Sequence, residues 1–523
     1  MQKKQKENKQ KLNFFLNCCI IVTRNKKERV RVKGKIMQKF LFTLRNSAKN
    51  EQVFRFSYIL CLFLSSLCFI EQACLALTAL NMIWALYFFK ERFATKKNIK
   101  QICCHTLLLL FLISGVITAF LNKEDHFLDN IVMMYHTAIC FILVYGMHTY
   151  STKEERDKET FQLFKVLTIL INVLAFAGII VLLIFIRVDA FGYTIGLFDN
   201  RFTGLYTHPN IAAFISIIGI IGCHLLYNRK NEENGTYYLP KWFCIFGIAI
   251  HFFTIWLADS NASFVYTCVY FLIYICIKKD VLHNANPKNI VKILFVTTVF
   301  VACNFGLRVS SQQGMVNLIS QLHYSNTYPT TDSNYSEDGM IETPNIEIGR
   351  TEQQDLSSGR LDSFQKAFLL FEVKPILGVG KANIIPYGER YLINGFRFFD
   401  LHNGYLTILV SCGLIGFEIF LLFLIELLRK AYYLVKKITT IQSADRQTLS
   451  VFISALIGYG AYAMFERTIL FDITFMVIIF WVILGQFMSC ALTYESKKER
   501  KKTILADLSQ SLQAVRKFLF GFK

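Results

Sequence analysis

Three short stretches of this 523-residue chain combine arginine, histidine, amide and glycine residues in patterns that could do chemistry. They are NRFTGLYTHPN at residues 200–210, SGRLDSFQKAFLLFEVKPILGVGKANI at 358–384 and LHNGYLTILVSCGLIGF at 401–417. The planar guanidinium of an arginine can bind phosphate oxygens bidentately, and it keeps its charge when partly desolvated. A neutral imidazole can accept a proton near neutral pH. Anion binding beside proton transfer is therefore the chemistry that these residue types allow.

Simpler interpretations compete with that chemistry for each residue. An arginine just outside a membrane helix usually anchors the helix to lipid headgroups, and a histidine at a helix start is more often a polar cap than a base. His208 is a rival base, but its position before Pro209 favours local turn chemistry. The string GVGK at 378–381 lacks the full phosphate-loop pattern and follows no predicted strand, so it indicates a turn.

The elements that must position these residues are membrane helices. The chain is 54% hydrophobic and only 18% charged, with apolar runs of bilayer-spanning length. We predict an all-α polytopic protein with about twelve transmembrane helices. Their predicted ranges are 56–70, 73–89, 102–121, 127–150, 163–186, 209–227, 239–257, 262–277, 290–306, 403–428, 449–465 and 468–490.

The charge distribution predicts the orientation of these helices. With the N-terminus in the cytoplasm, the predicted cytoplasmic segments hold 45 of the 57 lysines and arginines, as the positive-inside rule requires. The net charge of +20 then mainly reflects this orientation in the membrane, and we expect no nucleic-acid partner. Both termini are predicted to be cytoplasmic, and the three motif stretches lie on the opposite, extracytoplasmic side.

The segments between and beyond the helices complete the predicted organisation. Residues 1–55 form a basic cytoplasmic arm, 56–306 hold helices one to nine, 307–402 form one large extracytoplasmic loop, 403–490 hold the last three helices, and 491–523 form a basic amphipathic tail. The loop is polar up to Ser358 and then helical, with Leu361, Phe364, Phe368 and Phe371 spaced to lie on the membrane surface. Nearly all fifteen cysteines fall in apolar spans, so we expect no disulfide, and no zinc-binding pattern occurs.

The three motif stretches, all predicted to lie on the extracytoplasmic side, together resemble the O-antigen ligase and polymerase family of bacterial membrane glycosyltransferases. That family shows an arginine, a glycine and a Pro-Asn pair before a helix, then a Gly-Arg with a downstream Pro-x-x-Gly-x-Gly, then a His-Asn followed by Gly-Leu-Ile-Gly. The matching residues occur in the same order and spacing: Arg201, Gly204, Pro209, Asn210, Gly359, Arg360, Pro375, Gly378, Gly380, His402, Asn403, Gly413, Leu414, Ile415 and Gly416.

The resemblance implies a glycosyltransferase type C-like fold and transfer of a glycan from a polyprenyl diphosphate carrier to a hydroxyl, without a metal or cofactor. The leaving diphosphate would need fixed cations, for which Arg201 and Arg360 are the candidates. His402 would be the general base, and attack opposite the diphosphate would invert the anomeric carbon. Asn403, Asn210, Glu466 and Arg467 are candidates for substrate binding, although Glu466-Arg467 could equally form an interfacial ion pair.

The resemblance leaves the acceptor open. A polymerase would extend another lipid-linked repeat unit, and a ligase would attach a finished glycan to a lipid or envelope acceptor. Abundant Lys, Asn, Ile and Phe indicate an AT-rich genome, which favours a surface polysaccharide over lipopolysaccharide and therefore a polymerase. We expect a bacterial plasma (inner) membrane location, with polysaccharide assembly machinery as a possible partner. A transporter is the alternative from another class, but no two halves of the sequence align as repeats. A non-catalytic membrane scaffold would not need these motifs on one face.

The predicted orientation can be tested by cysteine labelling. A tag after Lys523 or in the 91–98 loop should be cytoplasmic, whereas Asn334→Cys should react with an impermeant reagent in intact cells. The Lys/Arg distribution is the physical reason. Protection of Asn334→Cys in intact cells, followed by labelling after lysis, would invert the topology.

Overall fold

The computed structural model describes residues 48–94, 99, 101–149, 152–190, 192–231, 235–279, 287–324, 347–349, 360–392 and 401–494. The chain divides into two compact units, Met1–Phe56 and Ser57–Lys523. The first unit is described only from residue 48 onward. Most of the predicted basic arm and the predicted amphipathic tail therefore lie outside the described residues.

Fourteen α-helices occur in the described part of the chain. The first nine are α1 (Glu51–Leu64), α2 (Glu71–Ala94), α3 (His105–Leu121), α4 (Phe127–Ala138), α5 (Lys153–Phe185), α6 (Pro209–Leu226), α7 (Lys241–Ala258), α8 (Asn261–Lys278) and α9 (Pro287–Tyr324). The other five are α10 (Arg360–Val373), α11 (Ile384–Tyr391), α12 (Gly404–Lys436), α13 (Ser443–Tyr462) and α14 (Phe475–Tyr494). A π-helical and a 3-10 segment continue α4 from Ile139 to Thr149.

The chain is a polytopic, mainly helical membrane protein. Each of the twelve predicted spans overlaps a helix, and nine of the helices in the described residues are long and apolar enough to cross a bilayer. The helices α1, α3 and α13 fall outside those nine, since α1 and α3 have only 14 and 17 residues and α13 is less apolar. The number of twelve crossings stays a prediction.

Two of the nine described apolar helices are enclosed by the rest of the protein. The apolar stretches of α6 and α14 are more than four-fifths buried inside the protein, whereas that of α9 is almost wholly exposed. A helix that is apolar on all sides needs either protein or lipid around it. The helices α6 and α14 therefore pack in the interior, and α9 presents its apolar surface to lipid.

The fold is mostly helical, consistent with the all-α prediction, but a small antiparallel sheet that the sequence did not predict lies between α5 and α6. Its strands are β1 (Arg187–Ala190), β2 (Tyr193–Phe198) and β3 (Arg201–Gly204), in the order β1-β2-β3. Asp199 and Asn200 join β2 to β3, and both have positive φ. Two such residues favour the tight hairpin turn that matches strand twist. This turn holds Arg201 at the start of β3, beside the membrane helices.

The ninth helix is longer than the sequence predicts. The sequence predicts a span that ends at residue 306 and a large polar loop from residue 307, but α9 continues to Tyr324. Met315 and Ile319 on this extension are buried against Leu182 of α5 and Phe202 of β3. Polar residues within the extension concealed these two apolar anchors from the hydropathy pattern. The extension therefore packs against β2 and β3 of the sheet.

A helix, α10, occurs where the sequence predicts one, and it ends before Pro375. Its position along the membrane surface stays a prediction. Its two faces differ from the expectation, because Ala367 and Leu370 are buried against the protein. Leu361 and Phe368, assigned by spacing to the same apolar face, are exposed. The helix is thus apolar towards both the protein and its surroundings.

A break in α12 receives the segment that follows α10. Gly413 has φ 61° and ψ −167°, a conformation essentially restricted to glycine, and the helix continues on both sides of it. The backbone of residues 375–380 lies against this break. Four hydrogen bonds join the two segments: Val379 N to Val410 O, Gly380 N to Ser411 O, Leu414 N to Pro375 O and Ile415 N to Ile376 O, with lengths of 3.0, 2.9, 2.8 and 3.2 Å. The second and third motifs therefore meet through their backbones.

Opposite ends of the helices carry different polar groups. The helix α6 begins at Pro209, near the end of α13, and its last turn lies beside the start of α13, where Gln447 Nε2 donates to His224 O at 3.5 Å. At about 1.5 Å per residue, the 18 residues of α6 separate its ends by roughly 27 Å. This length is close to the thickness of a bilayer's hydrocarbon core. The two ends of α6 thus lie near opposite membrane surfaces.

We expect Gly413→Ala to destabilise the protein. A Cβ at this position would overlap the carbonyl of Ile376 and the backbone N of Gly378, and alanine also disfavours the observed φ and ψ. The backbone strain alone costs about 1–3 kcal/mol. The melting temperature of the purified protein measures the effect. Gly314→Ala in α9 is the control, because nothing lies within 4 Å of a Cβ there. Equal melting temperatures for the two variants would contradict the packing role.

Candidate functional site

Arg201 joins the sheet to two helices. Its Nε donates to Ala258 O at the end of α7 at 3.0 Å, and its Nη2 donates to Asn210 Oδ1 in the first turn of α6 at 2.6 Å. Because the guanidinium is planar, these two hydrogen bonds set the plane in which its other nitrogen atoms lie. The first motif therefore folds back on itself, with Arg201 in contact with Asn210 nine residues later.

Asn210 transmits this contact to the segment after α13. Its Oδ1 accepts from Arg201, while its Nδ2 donates to Glu466 Oε1 at 2.9 Å. The amide therefore uses its acceptor on the cation and a donor on the carboxylate, which determines its orientation. Glu466 is 256 residues away in sequence, and its side chain is only 11% exposed. A carboxylate with this little exposure requires polar partners, and Asn210 is one of them.

Glu466 also faces the histidine of the third motif. His402 Nδ1 lies 3.7 Å from Glu466 Oε2, and the His402 side chain is 45% exposed. This separation exceeds that of a hydrogen bond, so the two side chains are in contact without a direct hydrogen bond. A carboxylate on the Nδ1 side leaves Nε2 as the nitrogen directed away from it. Arg201, Asn210, Glu466 and His402 thus form one continuous series of side-chain contacts, which we call the relay.

The neighbouring Asn403 supports the position of His402. Its Oδ1 accepts from the backbone N of Tyr405 and of Leu406, at 2.9 and 3.0 Å, which caps the start of α12. Its Nδ2 donates to Met464 O at 3.0 Å, and Gly404 N donates to Ala463 O at 2.7 Å. These bonds tie the start of α12 to the turn that carries Glu466. The Asn403 amide is thus engaged with backbone atoms.

Arg467 lies in a second group of charges beside the relay. Its Nη1 is 3.3 Å from Asp472 Oδ1, and Lys381 Nζ is 3.8 Å from the same oxygen. The Lys381 side chain is nearly buried, whereas that of Arg467 is 32% exposed. Sequence reasoning assigned GVGK to a turn and therefore missed Lys381. A lysine in a segment rich in glycine and apolar residues was the available signal.

Arg360, the other predicted phosphate ligand, begins α10. Its side chain lies outside the described residues, as does Gly359. The structure therefore brings Arg201 and His402 together through the relay, and it leaves the contacts of Arg360 as a prediction. The backbone after α10 reaches the break in α12, nine residues after the start of that helix.

His208 caps α6 with its ring. Its Nδ1 accepts from Asn210 N at 3.1 Å, so the proton of the neutral ring is on Nε2. Burial lowers the pKa of His208, and the nearby Arg201 lowers this pKa further. With Nδ1 occupied and Nε2 protonated, His208 is poorly suited to be a base. The sequence prediction of a local turn role agrees with this geometry.

An ion pair that sequence reasoning missed lies next to Arg201. Arg308 of α9 pairs with Asp259, which follows Ala258, and its Nη1 donates to Asn261 Oδ1 at 3.2 Å. The Asp259 side chain is only 2% exposed. This pair holds the turn between α7 and α8, whose Ala258 O accepts from Arg201. An arginine directly after the apolar stretch of α9 was the signal for it.

In the described part of the chain, no three His, Cys, Asp or Glu side chains are grouped closely enough to hold a metal ion.

Comparisons with known proteins support the resemblance drawn from the motifs. Residues 246–421 match the family model described as O-antigen ligase. The match covers Arg360, His402 and the break in α12, whereas Arg201, Asn210 and Glu466 lie outside it. Searches of curated proteins and of solved structures find no significant match to this chain. The predicted resemblance to this family is confirmed over the matched segment.

We expect His208 to make the stability of the protein depend on pH. The pKa of His208 is lowered in the folded state. The contribution of its neutral ring to the stability of the fold is therefore fully present above the unfolded pKa of about 6.5, and it is lost as the pH falls through the lowered value. His208→Asn keeps a capping side chain without this titration. As the pH is lowered from 8 to 5, the melting temperature should therefore fall less steeply for His208→Asn than for the wild type. The exposed His126, changed to Asn, is the control. Parallel curves for wild type and His208→Asn would contradict the assignment.

Proposed function

We propose, starting from the similarity of residues 246–421 to O-antigen ligases, that this membrane protein transfers a glycan from a polyprenyl diphosphate to an acceptor hydroxyl on the extracytoplasmic face. The observation that carries the proposal is the relay, which connects the guanidinium of Arg201 to the imidazole of His402 through Asn210 and Glu466. A cation and a proton acceptor within one group of contacts suit a reaction that expels an anion while it deprotonates a nucleophile.

The departing diphosphate is the first requirement of this reaction. As the bond between the anomeric carbon and the diphosphate oxygen breaks, negative charge develops on the leaving group. Arg201 is already oriented by Ala258 O and Asn210, so little reorganisation is needed for it to stabilise that charge. We assign Arg360 the same role from its motif. Arg467 is a third cation, and its partial exposure suits contact with substrate.

The acceptor hydroxyl is the second requirement. In our proposal, the hydroxyl oxygen attacks the anomeric carbon and its proton passes to Nε2 of His402. Glu466 then stabilises the imidazolium through Nδ1, from which it is 3.7 Å away. The products are the new glycosidic bond and the free polyprenyl diphosphate. Attack from the side opposite the diphosphate inverts the anomeric carbon, and the proposal assigns no step to a metal.

An apolar cavity supports a lipid-linked donor. A cavity of about 220 Å³ lies between α12, α13 and α14, and its polar end includes Tyr405, three residues after His402. Tyr405 OH donates to Gly460 O at 3.0 Å, so the tyrosine closes this end with its hydroxyl satisfied. The other lining side chains are aliphatic or aromatic. An isoprenoid chain could lie there with its diphosphate at the relay.

The two forms of the proposed function, polymerase and ligase, differ in the acceptor that they use. We favour a polymerase that extends lipid-linked repeat units, because the Lys-, Asn-, Ile- and Phe-rich composition indicates an AT-rich genome, which favours a surface polysaccharide over lipopolysaccharide. A ligase acting on a finished glycan is the alternative. Supplying the purified protein with lipid-linked repeat units alone, or together with a glycolipid acceptor, distinguishes them by the length and attachment of the product.

We expect His402→Ala to lower the rate of glycan transfer by roughly two to four orders of magnitude, the usual contribution of positioned proton transfer. Binding of the polyprenyl diphosphate donor should be largely retained. The assay uses purified protein and a lipid diphosphate donor, with and without EDTA. His126→Ala is the matched control, because His126 Nδ1 also pairs with a carboxylate, Asp129, at 3.0 Å outside the relay.

The same assay tests the cations. Arg201→Lys keeps the charge but loses the planar fork, so the rate should fall strongly at unchanged protein abundance, as it should for Arg360→Lys. Wild-type rates in His402→Ala or Arg201→Ala would remove the proposed mechanism. So would abolition of wild-type activity by EDTA that a divalent ion restores.

A further inference from the structure

A polar cavity lies at the end of the helix bundle that is remote from the relay. Its volume is about 550 Å³, and its walls come from the last turns of α6 and α8 and the first turns of α13. The same helices α6 and α13 reach the relay at their other ends, through Asn210 and the turn containing Glu466. The cavity is thus separate from the proposed active site by about the length of a membrane helix.

The charge of this cavity is positive. Lys278 and Arg446 line it, together with hydroxyl and amide groups, and none of the described residues in its lining is acidic. The first turn of α13 does contain Asp445, but its carboxylate turns away to Lys153 Nζ, 2.6 Å distant, and to the hydroxyl of Tyr494. Because Asp445 is engaged with Lys153 and Tyr494, no carboxylate among the described lining residues balances the two cations of the cavity.

Polar and aromatic contacts hold the walls in position. Arg446 Nη2 donates to Thr439 O at 2.7 Å, which orients its guanidinium at the start of α13. Within the wall, His224 Nδ1 and Tyr270 OH are 2.6 Å apart, and the Tyr274 ring centroid is 4.3 Å from that of His224. Lys278 Nζ lies 5.6 Å from the Tyr274 ring. Tyrosine beside basic residues at a helix end is typical of the interfacial zone of a membrane.

We propose that this cavity binds the phosphate group of an anionic phospholipid. A phosphate diester matches two cations and several hydroxyl donors, and it fits within about 550 Å³. A lipid is the favoured source because the cavity lies at the end of apolar helices, at the depth where headgroups occur. Ser443 and Tyr227 supply hydroxyls at its rim. This proposal is independent of glycan transfer, since it involves neither the relay nor a glycan.

The test measures lipid binding by the purified full-length protein. Native mass spectrometry in a neutral detergent, with phosphatidylglycerol or phosphatidylcholine added, counts bound lipids and gives their relative affinities. Lys278→Gln removes one cation, and Ser443→Asp adds a negative charge in the first turn of α13, where helices tolerate acidic residues. Each variant should bind phosphatidylglycerol roughly tenfold more weakly, as expected for the loss of one charged contact. Arg446 is retained, because it also holds the backbone of residue 439.

The matched control is Lys230→Gln. Lys230 is also an exposed lysine near a tyrosine ring, 5.2 Å from that of Tyr237, but it does not line this cavity. Its affinity for phosphatidylglycerol should equal that of the wild type. Unchanged binding in both Lys278→Gln and Ser443→Asp, or equal binding of phosphatidylcholine and phosphatidylglycerol by the wild type, would overturn the proposal. Displacement of phosphatidylglycerol by millimolar inorganic phosphate would overturn the lipid as the source and indicate a soluble phosphate ligand.

Discussion

The nearly buried carboxylate of Glu466 is the constraint around which the candidate site is organised. A charge with so little access to water is costly unless polar groups surround it. Asn210 donates to one of its oxygens, and His402 faces the other. Asn210 also accepts from Arg201. The contacts around this one carboxylate therefore join the sheet, the start of α6 and the start of α12. Removing Glu466 would leave three elements without their common partner.

The break in α12 is the second organising feature. There, buried backbone groups require polar partners, as the carboxylate of Glu466 does. Polar backbone groups at membrane depth must find partners inside the protein. The groups left without helical partners near Gly413 bond to residues 375–380, which have no regular structure of their own to bond within. The two glycine-containing motifs are therefore halves of one backbone arrangement. Their spacing reflects packing, whereas the arginine and histidine beside them carry the charge and the titratable group.

The two ends of the bundle differ in how their charges are balanced. At the relay, Arg201 donates to Asn210, which donates to the carboxylate of Glu466, so that a cation and an anion are joined through one amide. This arrangement suits the proposed substrate, which gains charge only as it reacts. At the opposite end, Lys278 and Arg446 face a cavity without a described acidic side chain, which suits a ligand that is already anionic. The helices α6 and α13 extend from one end to the other, so a lipid bound at one end would contact the same helices that support the relay.

The amino-acid sequence by itself determined the helical membrane architecture, the family resemblance and the identity of most candidate residues. These follow from local signals, because apolar runs are contiguous and each motif lies within about 30 residues. Only the tertiary structure decided that Asn210 and Glu466 are partners, since hydrogen bonds between residues 256 positions apart depend on how helices pack. It also decided the extension of α9, which buried Met315 and Ile319 stabilise against other elements, and the hairpin that presents Arg201. Local patterns specify which segments enter the membrane. The partners of a buried polar group lie on other segments, so the pattern of a single segment does not specify them.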